Sequence, residues 1–173
     1  MIDYRIVENE IYTGKIGSLV SMLEHTRAVT IDEVTNLTQK ELDYLVDSSS
    51  NSIGALLHHI AAIEFVHQVI SFEERDLNES EFMKWKTSLE LGDKARSEKK
   101  NKPVSYYLHE LSEVRENTLK QLKSKHDSWL FEEHKWPNDV PYNNYYLWFY
   151  VMEDEINHRG QIRSIKRLLL NDK

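Results

Sequence analysis

Apolar residues recur at helical spacing in four long stretches of the chain. The first begins near Lys15, within "GKIGSLVSMLEHTRAVTIDEV". The second, "IGALLHHIAAIEFVHQVISF", carries an apolar face with i, i+3, i+4, i+7 spacing. The third has Pro103 at its start, and the last runs from about Asn144 to Leu170. Four long amphipathic segments on one chain predict an all-α fold of the helix-bundle type.

Shorter elements are expected in the connections between these helices. Thr38 to Glu41 has the residue types and spacing of a capping box and predicts a short helix, and "ESEFMKWKTSLEL" (79–91) predicts a weaker one. The basic run at 94–102 is typical of a solvated connector. Trp129, Phe131 and Trp136 lie between turn signals in 126–144, which predicts a packed loop and not a linker.

The composition is that of one globular domain. Of 173 residues, 40% are hydrophobic and 29% are charged, as in ordinary folded proteins. Only 5 glycines and 3 prolines interrupt the chain, which leaves few breakers for an all-β fold. We expect residues 1–173 to form a single domain, because this length fits one hydrophobic core.

Charge and the absence of cysteine restrict the partners and the chemistry. The 29 acidic and 22 basic residues give a net charge of −7, which argues against a nucleic-acid partner because phosphates require clustered Lys and Arg. With no cysteine, any metal ion must be held by nitrogen and oxygen ligands. The N-terminus lacks a signal-peptide pattern, and no stretch reaches the roughly 18 apolar residues of a spanning helix. We therefore expect a cytoplasmic protein with no membrane partner.

The last helix carries ionisable residues in its most apolar part. In "EDEINHRGQI" (153–162), a helical wheel places His158 near the centre of the apolar stripe, with Asp154 and Glu155 within roughly 50° of it on opposite sides. Asp154 and His158 are four residues apart, the spacing by which one helix offers two ligands to a metal. The alternative is a buried carboxylate–imidazole pair without a metal, and spacing alone favours neither.

A third ligand would have to come from another helix, and the second long helix contains three histidines. The wheel places His58 opposite the apolar stripe, facing solvent, with His59 at the edge of the stripe and His67 near its centre. An inward histidine is more often a hydrogen-bonded core residue than a ligand. Spacing therefore leaves both His59 and His67 as candidates.

Other polar positions have simpler interpretations. Glu64 turns inward, where Arg159 or Arg115 is the expected ion-pair partner. Gly160 lies in mid-helix, at a cost of about 1 kcal/mol relative to Ala unless close packing requires it. The remaining histidines are interpreted as surface residues: His25, His109, His126 and His134.

Two motifs in these helices resemble the DinB-like superfamily of metal-binding four-helix proteins. They are "NSIGALLHHIAAIE" and "EINHRGQI", in which "HHIA" and "HRGQ" are the most specific parts. The resemblance implies an up-down-down-up bundle, often dimeric, with one histidine ligand in the second helix and two in the fourth. By position in these motifs, His59 and His158 match two of the three ligands. The remaining ligand falls on Asp154 where the family usually has histidine, and aspartate is a competent oxygen donor.

The resemblance also implies a divalent-metal-dependent enzyme, with Zn²⁺ or Ni²⁺ as the ion and a small-molecule substrate. Some DinB-like proteins resemble S-transferases that use a low-molecular-weight thiol, and others resemble hydrolases. Glu155 and Glu64 are then candidates for proton transfer beside the metal, and Tyr145, Tyr146 and Trp148 for the pocket mouth. The alternative is a non-catalytic stress-response or small-ligand-binding bundle with a degenerate metal site. A homodimer is also expected.

Overall fold

The computed structural model describes residues 2–171, and this part of the chain is mostly helical. The helices are α1 Gly14–Val34, α2 Gln39–Leu42, α3 Ile53–Phe72, α4 Glu79–Glu90, α5 Gly92–Glu98, α6 Val104–Leu122 and α7 Asn144–Asn171. A short 3₁₀ helix spans Asp127–Phe131, and two short strands follow it, β1 Glu133–Lys135 and β2 Pro141–Asn143. The four long predicted helices are therefore confirmed as α1, α3, α6 and α7.

Side-chain caps fix the starts of the two short helices that the sequence predicts. At α2, the Thr38 hydroxyl accepts a hydrogen bond from the Glu41 amide, and the Glu41 carboxylate accepts one from the Thr38 amide. At α4, Asn78 and Glu81 form the same reciprocal pair. Each pair satisfies two backbone donors that the first turn of a helix leaves unbonded. The predicted capping box at Thr38 is confirmed.

The basic run at 94–102 was expected to be a solvated connector, and this is wrong for its first half, where α5 lies. Ala95 is fully buried, and the Arg96 guanidinium donates to the backbone carbonyls of Ser49 and Ser50. Tertiary contacts therefore order a helix of seven residues that has too few apolar positions to show a helical period.

The stretch from 126 to 144 is more regular than the packed loop that was expected. Its strands pair antiparallel, with His134 opposite Tyr142, and Trp136 stacks on Tyr142 with ring centroids 4.0 Å apart. Trp129 is buried as predicted, whereas Phe131 is about half exposed. The segment packs its tryptophans and leads directly into α7.

Helix α3 lies at the centre of the fold and packs against α6 and α7. It runs parallel to α6, because Glu64 bonds to Arg115 and, further along both helices, Gln68 bonds to Thr118. Gly54 permits close contact at its N-terminal end, since a Cβ there would lie 2.6 Å from the hydroxyl oxygen of Tyr107. These contacts bury most of α3.

Helix α7 runs antiparallel to α3 and parallel to α1. The contacts that fix these directions are His59 with His158 and Phe72 with Trp148 for α3, and Arg27 with Glu155 and Glu33 with Arg163 for α1. Helix α1 is antiparallel to α6, because Arg27 donates to the Leu111 carbonyl and Arg115 donates to the Leu23 carbonyl. Each long helix thus has two long neighbours.

Helix α3 is also long and apolar enough to span a membrane by length and composition, contrary to the expectation that no stretch would be. Its most apolar window is 78% buried inside the protein. Core helices of soluble proteins pass the same test, because they are covered on all sides by other elements. The apolar character of α3 is explained by its central position.

Candidate metal centre

Three side chains from two antiparallel helices converge in the interior between α3 and α7. His59 comes from α3, and Asp154 and His158 come from α7, and each offers one donor atom within 4.8 Å of the other two. The Oδ1 atom of Asp154 lies 3.7 Å from Nε2 of His59 and 3.4 Å from Nε2 of His158. All three side chains are at most 10% exposed. One oxygen and two nitrogen donors therefore face a common point that is nearly closed to solvent.

The Asp154 carboxylate is ionised at this point. Burial alone would raise its pKa, but hydrogen bonds and charge interactions with His158 and His59 lower it to about 2. A negatively charged oxygen next to two imidazole nitrogens is a donor set that divalent ions of the zinc type accept.

Among the described residues, two polar atoms of the cluster are buried without a hydrogen-bond partner, namely Oδ2 of Asp154 and Nδ1 of His158. An unpartnered buried polar atom costs about 1–3 kcal/mol, and more when it carries charge. A cation between the donors would compensate the charge of the Asp154 carboxylate, whose second oxygen has no partner in the part of the chain that the structure describes. The residues present therefore fit a divalent metal ion.

His67, the other histidine that spacing left open, lies outside this cluster. Its Nδ1 donates to the backbone carbonyl of Ile63 at 2.8 Å, and its ring stacks on Tyr150 with centroids 5.3 Å apart. Burial lowers the pKa of its imidazole, so the ring is neutral near pH 7. The structure thus brings His59, and not His67, together with Asp154 and His158.

His58 was expected to face solvent, and this is wrong, because only 4% of it is exposed. Helix α4 covers the side of α3 that carries it, with Trp85 against its ring and the Ser88 hydroxyl 2.6 Å from its Nδ1. Burial lowers the pKa of His58 to about 4. A wheel drawn for α3 alone could not show that α4 packs there.

The four histidines that were assigned to the surface divide into two pairs. His109 and His126 are exposed as predicted. His25 and His134 are half-buried, since His25 donates to the Asp3 carbonyl and His134 stacks on Tyr142.

Glu64 and Glu155 are bound by arginines in the interior. Arg115 holds Glu64 with two hydrogen bonds of 2.7 and 3.0 Å, and Arg27 holds Glu155 with two of 3.0 and 3.1 Å. Arg27 also donates to Glu64 at 2.7 Å, and the Thr118 hydroxyl donates to the same carboxylate. Two positive and two negative side chains, all at most 5% exposed, thus join α1, α3, α6 and α7. We call Arg27, Glu64, Arg115 and Glu155 the arginine–glutamate network.

This network corrects one expected ion pair and confirms another. Glu64 pairs with Arg115 as predicted, whereas Arg159 donates to the Thr26 carbonyl of α1. Arg27 was missed, although it lies four residues after Leu23 and so belongs to the apolar stripe of α1. Arginines bind both carboxylates, and the role of Glu64 and Glu155 in proton transfer stays a prediction.

We expect the free energy of unfolding to fall as the pH drops from about 4.5 towards 2. Burial would raise the pKa of Glu64, but Arg115 and Arg27 lower it from 4.5 to about 2. The unfolded chain therefore takes up this proton first, and in that window it binds more protons than the folded protein. Urea unfolding at steps through this pH range measures the slope. Glu64→Gln should flatten the slope, and an unchanged slope in that variant would contradict the assignment.

The aromatic residues at the start of α7 that were predicted to form the pocket mouth are not among the residues that line the cavity described below. Trp148 is fully buried in the core, Tyr145 packs edge-on against Phe131, and Tyr146 is about half exposed. A cavity of about 620 Å³ lies instead further along α7, lined by Asn157, Gly160 and Gln161 together with the segment before α3. His59, Asp154 and His158 are not among its lining residues, and Asn157 and Gln161 are exposed whereas His158 is buried, so the cavity lies on another face of α7.

Comparison with known proteins identifies the fold and the family of the chain. A crystal structure titled "the conserved protein of locus from Enterococcus faecalis" superimposes with a TM-score of 0.67 and 15% sequence identity, covering 88% of this chain and 95% of that chain. At this identity the likeness shows the fold alone. No curated protein matches the chain significantly. The family described as Mycothiol-S-transferase matches residues 18–169, which include all three members of the cluster. The chain therefore belongs to the mycothiol-S-transferase family, which is a DinB-like family.

Proposed function

We propose that the protein transfers a low-molecular-weight thiol to an electrophilic small molecule, with Zn²⁺ or Ni²⁺ held by His59, Asp154 and His158. The observation that carries this proposal is the convergence of three donor atoms within 4.8 Å, in a chain whose family is named for a mycothiol transferase. When bound, the ion lowers the pKa of a thiol that reaches it, so that the reactive thiolate forms near neutral pH.

The donor set supports an open site. Two histidines and one carboxylate supply three ligands, and catalytic zinc sites keep a further position for a substrate or water. The site lacks thiolate donors, because the chain has no cysteine, so a sulfur ligand would come from the substrate. His59 and His158 orient the carboxylate, and burial of the three side chains excludes bulk water from it.

The proposed architecture is a single-domain, up-down-down-up four-helix bundle formed by α1, α3, α6 and α7. The parallel pairs α3–α6 and α1–α7 and the antiparallel pairs α3–α7 and α1–α6 support this topology. Residues 73–103, with α4 and α5, make the long return connection that a parallel neighbour requires. The family match over 18–169 supports one domain.

A polar small molecule fits the cavity along the exposed face of α7. Hydroxyl and amide side chains dominate its lining: Ser49, Ser50, Asn51, Asn157, Gln161 and Ser164. Such neutral groups both donate and accept hydrogen bonds. The proposed compartment is the cytoplasm, where low-molecular-weight thiols stay reduced.

A homodimer through the outer face of α7 is the proposed assembly. Phe149 and Ile156 are about half exposed on this helix. The close packing that would explain Gly160 is absent within the described part of the chain, since a Cβ there would meet no atom within 4 Å. A second helix packed on this face would cover Phe149 and Ile156 and could approach closely at Gly160.

The non-catalytic alternative has one observation in its favour. Asp154 lies near both histidines, so the three groups partly satisfy one another as an ionic triad without a metal. In that case the protein would bind small ligands through the cavity beside α7. The hydrolase alternative rests on the resemblance alone, and ester cleavage in the assay below would support it.

The proposed function is tested by a thiol-transfer assay with the purified protein. Mycothiol and glutathione are each offered with chlorodinitrobenzene, using protein stripped with chelator and protein reloaded with Zn²⁺ or Ni²⁺. We expect reloading to raise the transfer rate by about tenfold or more, and the His158→Ala variant to stay at the stripped level. A reloaded wild-type protein that is no faster than the stripped protein with either thiol would overturn the proposal.

A further inference from the structure

Two consecutive histidines of α3 bind the same residue of α4. The Nδ1 atom of His59 lies 2.7 Å from the backbone carbonyl oxygen of Ser88, and Nδ1 of His58 lies 2.6 Å from the Ser88 hydroxyl. All three residues are buried, and Ser88 has no exposed surface. The end of α4 is therefore fixed to α3 directly beside the candidate metal ligand.

The Ser88 carbonyl is free to accept this bond because α4 ends just after it. Leu91 has a φ of 55°, which breaks the helix, and the amide of Gly92 donates to the Asn51 side chain instead of to Ser88. Carbonyls in the last turn of a helix lack intrahelical donors and carry partial negative charge. The break after α4 thus presents one such carbonyl to His59.

A carbonyl oxygen only accepts hydrogen bonds, so the contact places a proton of His59 on Nδ1. The Nε2 atom is then the nitrogen that a metal ion would bind, and it faces Oδ1 of Asp154 at 3.7 Å. Only an unprotonated nitrogen can bind a metal ion, and a bond to the other nitrogen usually fixes the tautomer.

The Ser88 hydroxyl does not take part in a second active site, although its partners suggest one. His58 lies between Ser88 and Glu110, with its Nε2 3.8 Å from the Glu110 carboxylate, which is the order of a hydrolase triad. A nucleophile must meet its substrate, and Ser88 is fully buried. The hydrogen bond to His58 therefore holds Ser88 in place.

We infer that Ser88 is a positioning residue for the metal centre: its hydroxyl, held by His58, fixes the carbonyl that sets the tautomer and orientation of His59. The inference rests on the proposed metal site for its effect on affinity. The effect on the His59 tautomer does not require a metal.

The test uses Ser88→Ala, which removes the hydroxyl and leaves the carbonyl without its fixed position. Zn²⁺ affinity is measured by competition with a chromogenic chelator, and we expect a 10- to 100-fold loss, the range found for outer partners of metal ligands. In the metal-free protein, ¹⁵N NMR of the imidazoles should show His59 protonated on Nδ1 in the wild type and a mixture of tautomers in the variant.

Ser71→Ala is the matched control. Ser71 is also a buried serine of the same pair of helices, but its hydroxyl donates only to the His67 carbonyl within α3. It should change neither the tautomer nor the affinity. His58→Phe removes the same hydrogen bond by changing its other partner, and it tests the contact independently if Ser88→Ala does not fold. The double variant should lose no more Zn²⁺ affinity than the single variant with the larger loss, because both substitutions act through one bond.

Each outcome decides one point. An unchanged His59 tautomer and unchanged affinity in Ser88→Ala and His58→Phe would overturn the positioning role. A wild-type protein without Zn²⁺ affinity would overturn the proposed metal site, while the tautomer measurement in the same protein would still support or overturn the role of Ser88.

Discussion

Arg27→Ala should lower the free energy of unfolding by about 3–5 kcal/mol, the usual cost of removing one partner from a buried ion pair. Arg27 makes two hydrogen bonds to Glu155, which is 1% exposed. Without Arg27, the nearest charge to Glu155 is an Arg115 nitrogen 3.8 Å away. A buried carboxylate would then be left almost unpaired. Urea unfolding followed by circular dichroism measures the loss.

Arg163→Ala provides the matched control for this prediction. Arg163 pairs with Glu33 and so also joins α7 to α1, but its side chain is 49% exposed. Exposed pairs contribute about 0–1 kcal/mol. Equal losses in Arg27→Ala and Arg163→Ala would contradict the importance of burial.

Removing both charges of the buried pair should restore most of the stability. In Arg27→Met with Glu155→Leu, Glu64 and Arg115 still form a neutral pair, and apolar groups replace the other two. Such replacements are often neutral or stabilising. A double variant as unstable as Arg27→Ala would show that the loss comes from packing and not from an unpaired charge.

His158→Ala should weaken Zn²⁺ binding by more than about 100-fold. It removes a nitrogen donor 3.4 Å from the Asp154 carboxylate, and loss of a ligand exceeds the 10- to 100-fold effect of losing an outer partner. Affinity is measured by chelator competition. The effect should be among the largest of any single substitution that leaves the protein folded.

His67→Ala is the control for this second prediction. His67 is a buried histidine near the same helix interface, yet it bonds to Ile63 and lies outside the cluster. Its loss should leave Zn²⁺ affinity within a few-fold of the wild type. If His67→Ala abolishes binding and His59→Ala does not, the ligand from α3 has been assigned to the wrong histidine.

The sequence predicts the long helices and two of the three candidate ligands for the same reason. Helical period is local information, and it places Asp154 and His158 one turn apart on the inner side of α7. The choice of His59 over His67 depends on how α3 packs on α7. The spacing of apolar residues along one helix does not contain this information. It came from the "HHIA" resemblance, and the structure brings His59 to Asp154 and His158.

The errors arise where contacts between helices decide the environment. His58 is opposite the apolar stripe of α3 but is covered by α4, and α5 is ordered by Arg96 binding the segment before α3. Arg27 lies on the apolar stripe of α1, which is a readable signal for a buried charge. Its partners could not be read from the sequence, because Glu64 and Glu155 are 37 and 128 residues away.

The central claim is that His59, Asp154 and His158 hold a divalent ion, and metal content per chain tests it most directly. Elemental mass spectrometry is applied to dialysed, tag-free wild-type protein and to Asp154→Ala. We predict close to one ion per chain in the wild type and a clear loss in the variant. A wild-type protein that holds no ion, even after soaking in Zn²⁺ or Ni²⁺, would contradict the claim and leave the cluster as an ionic triad.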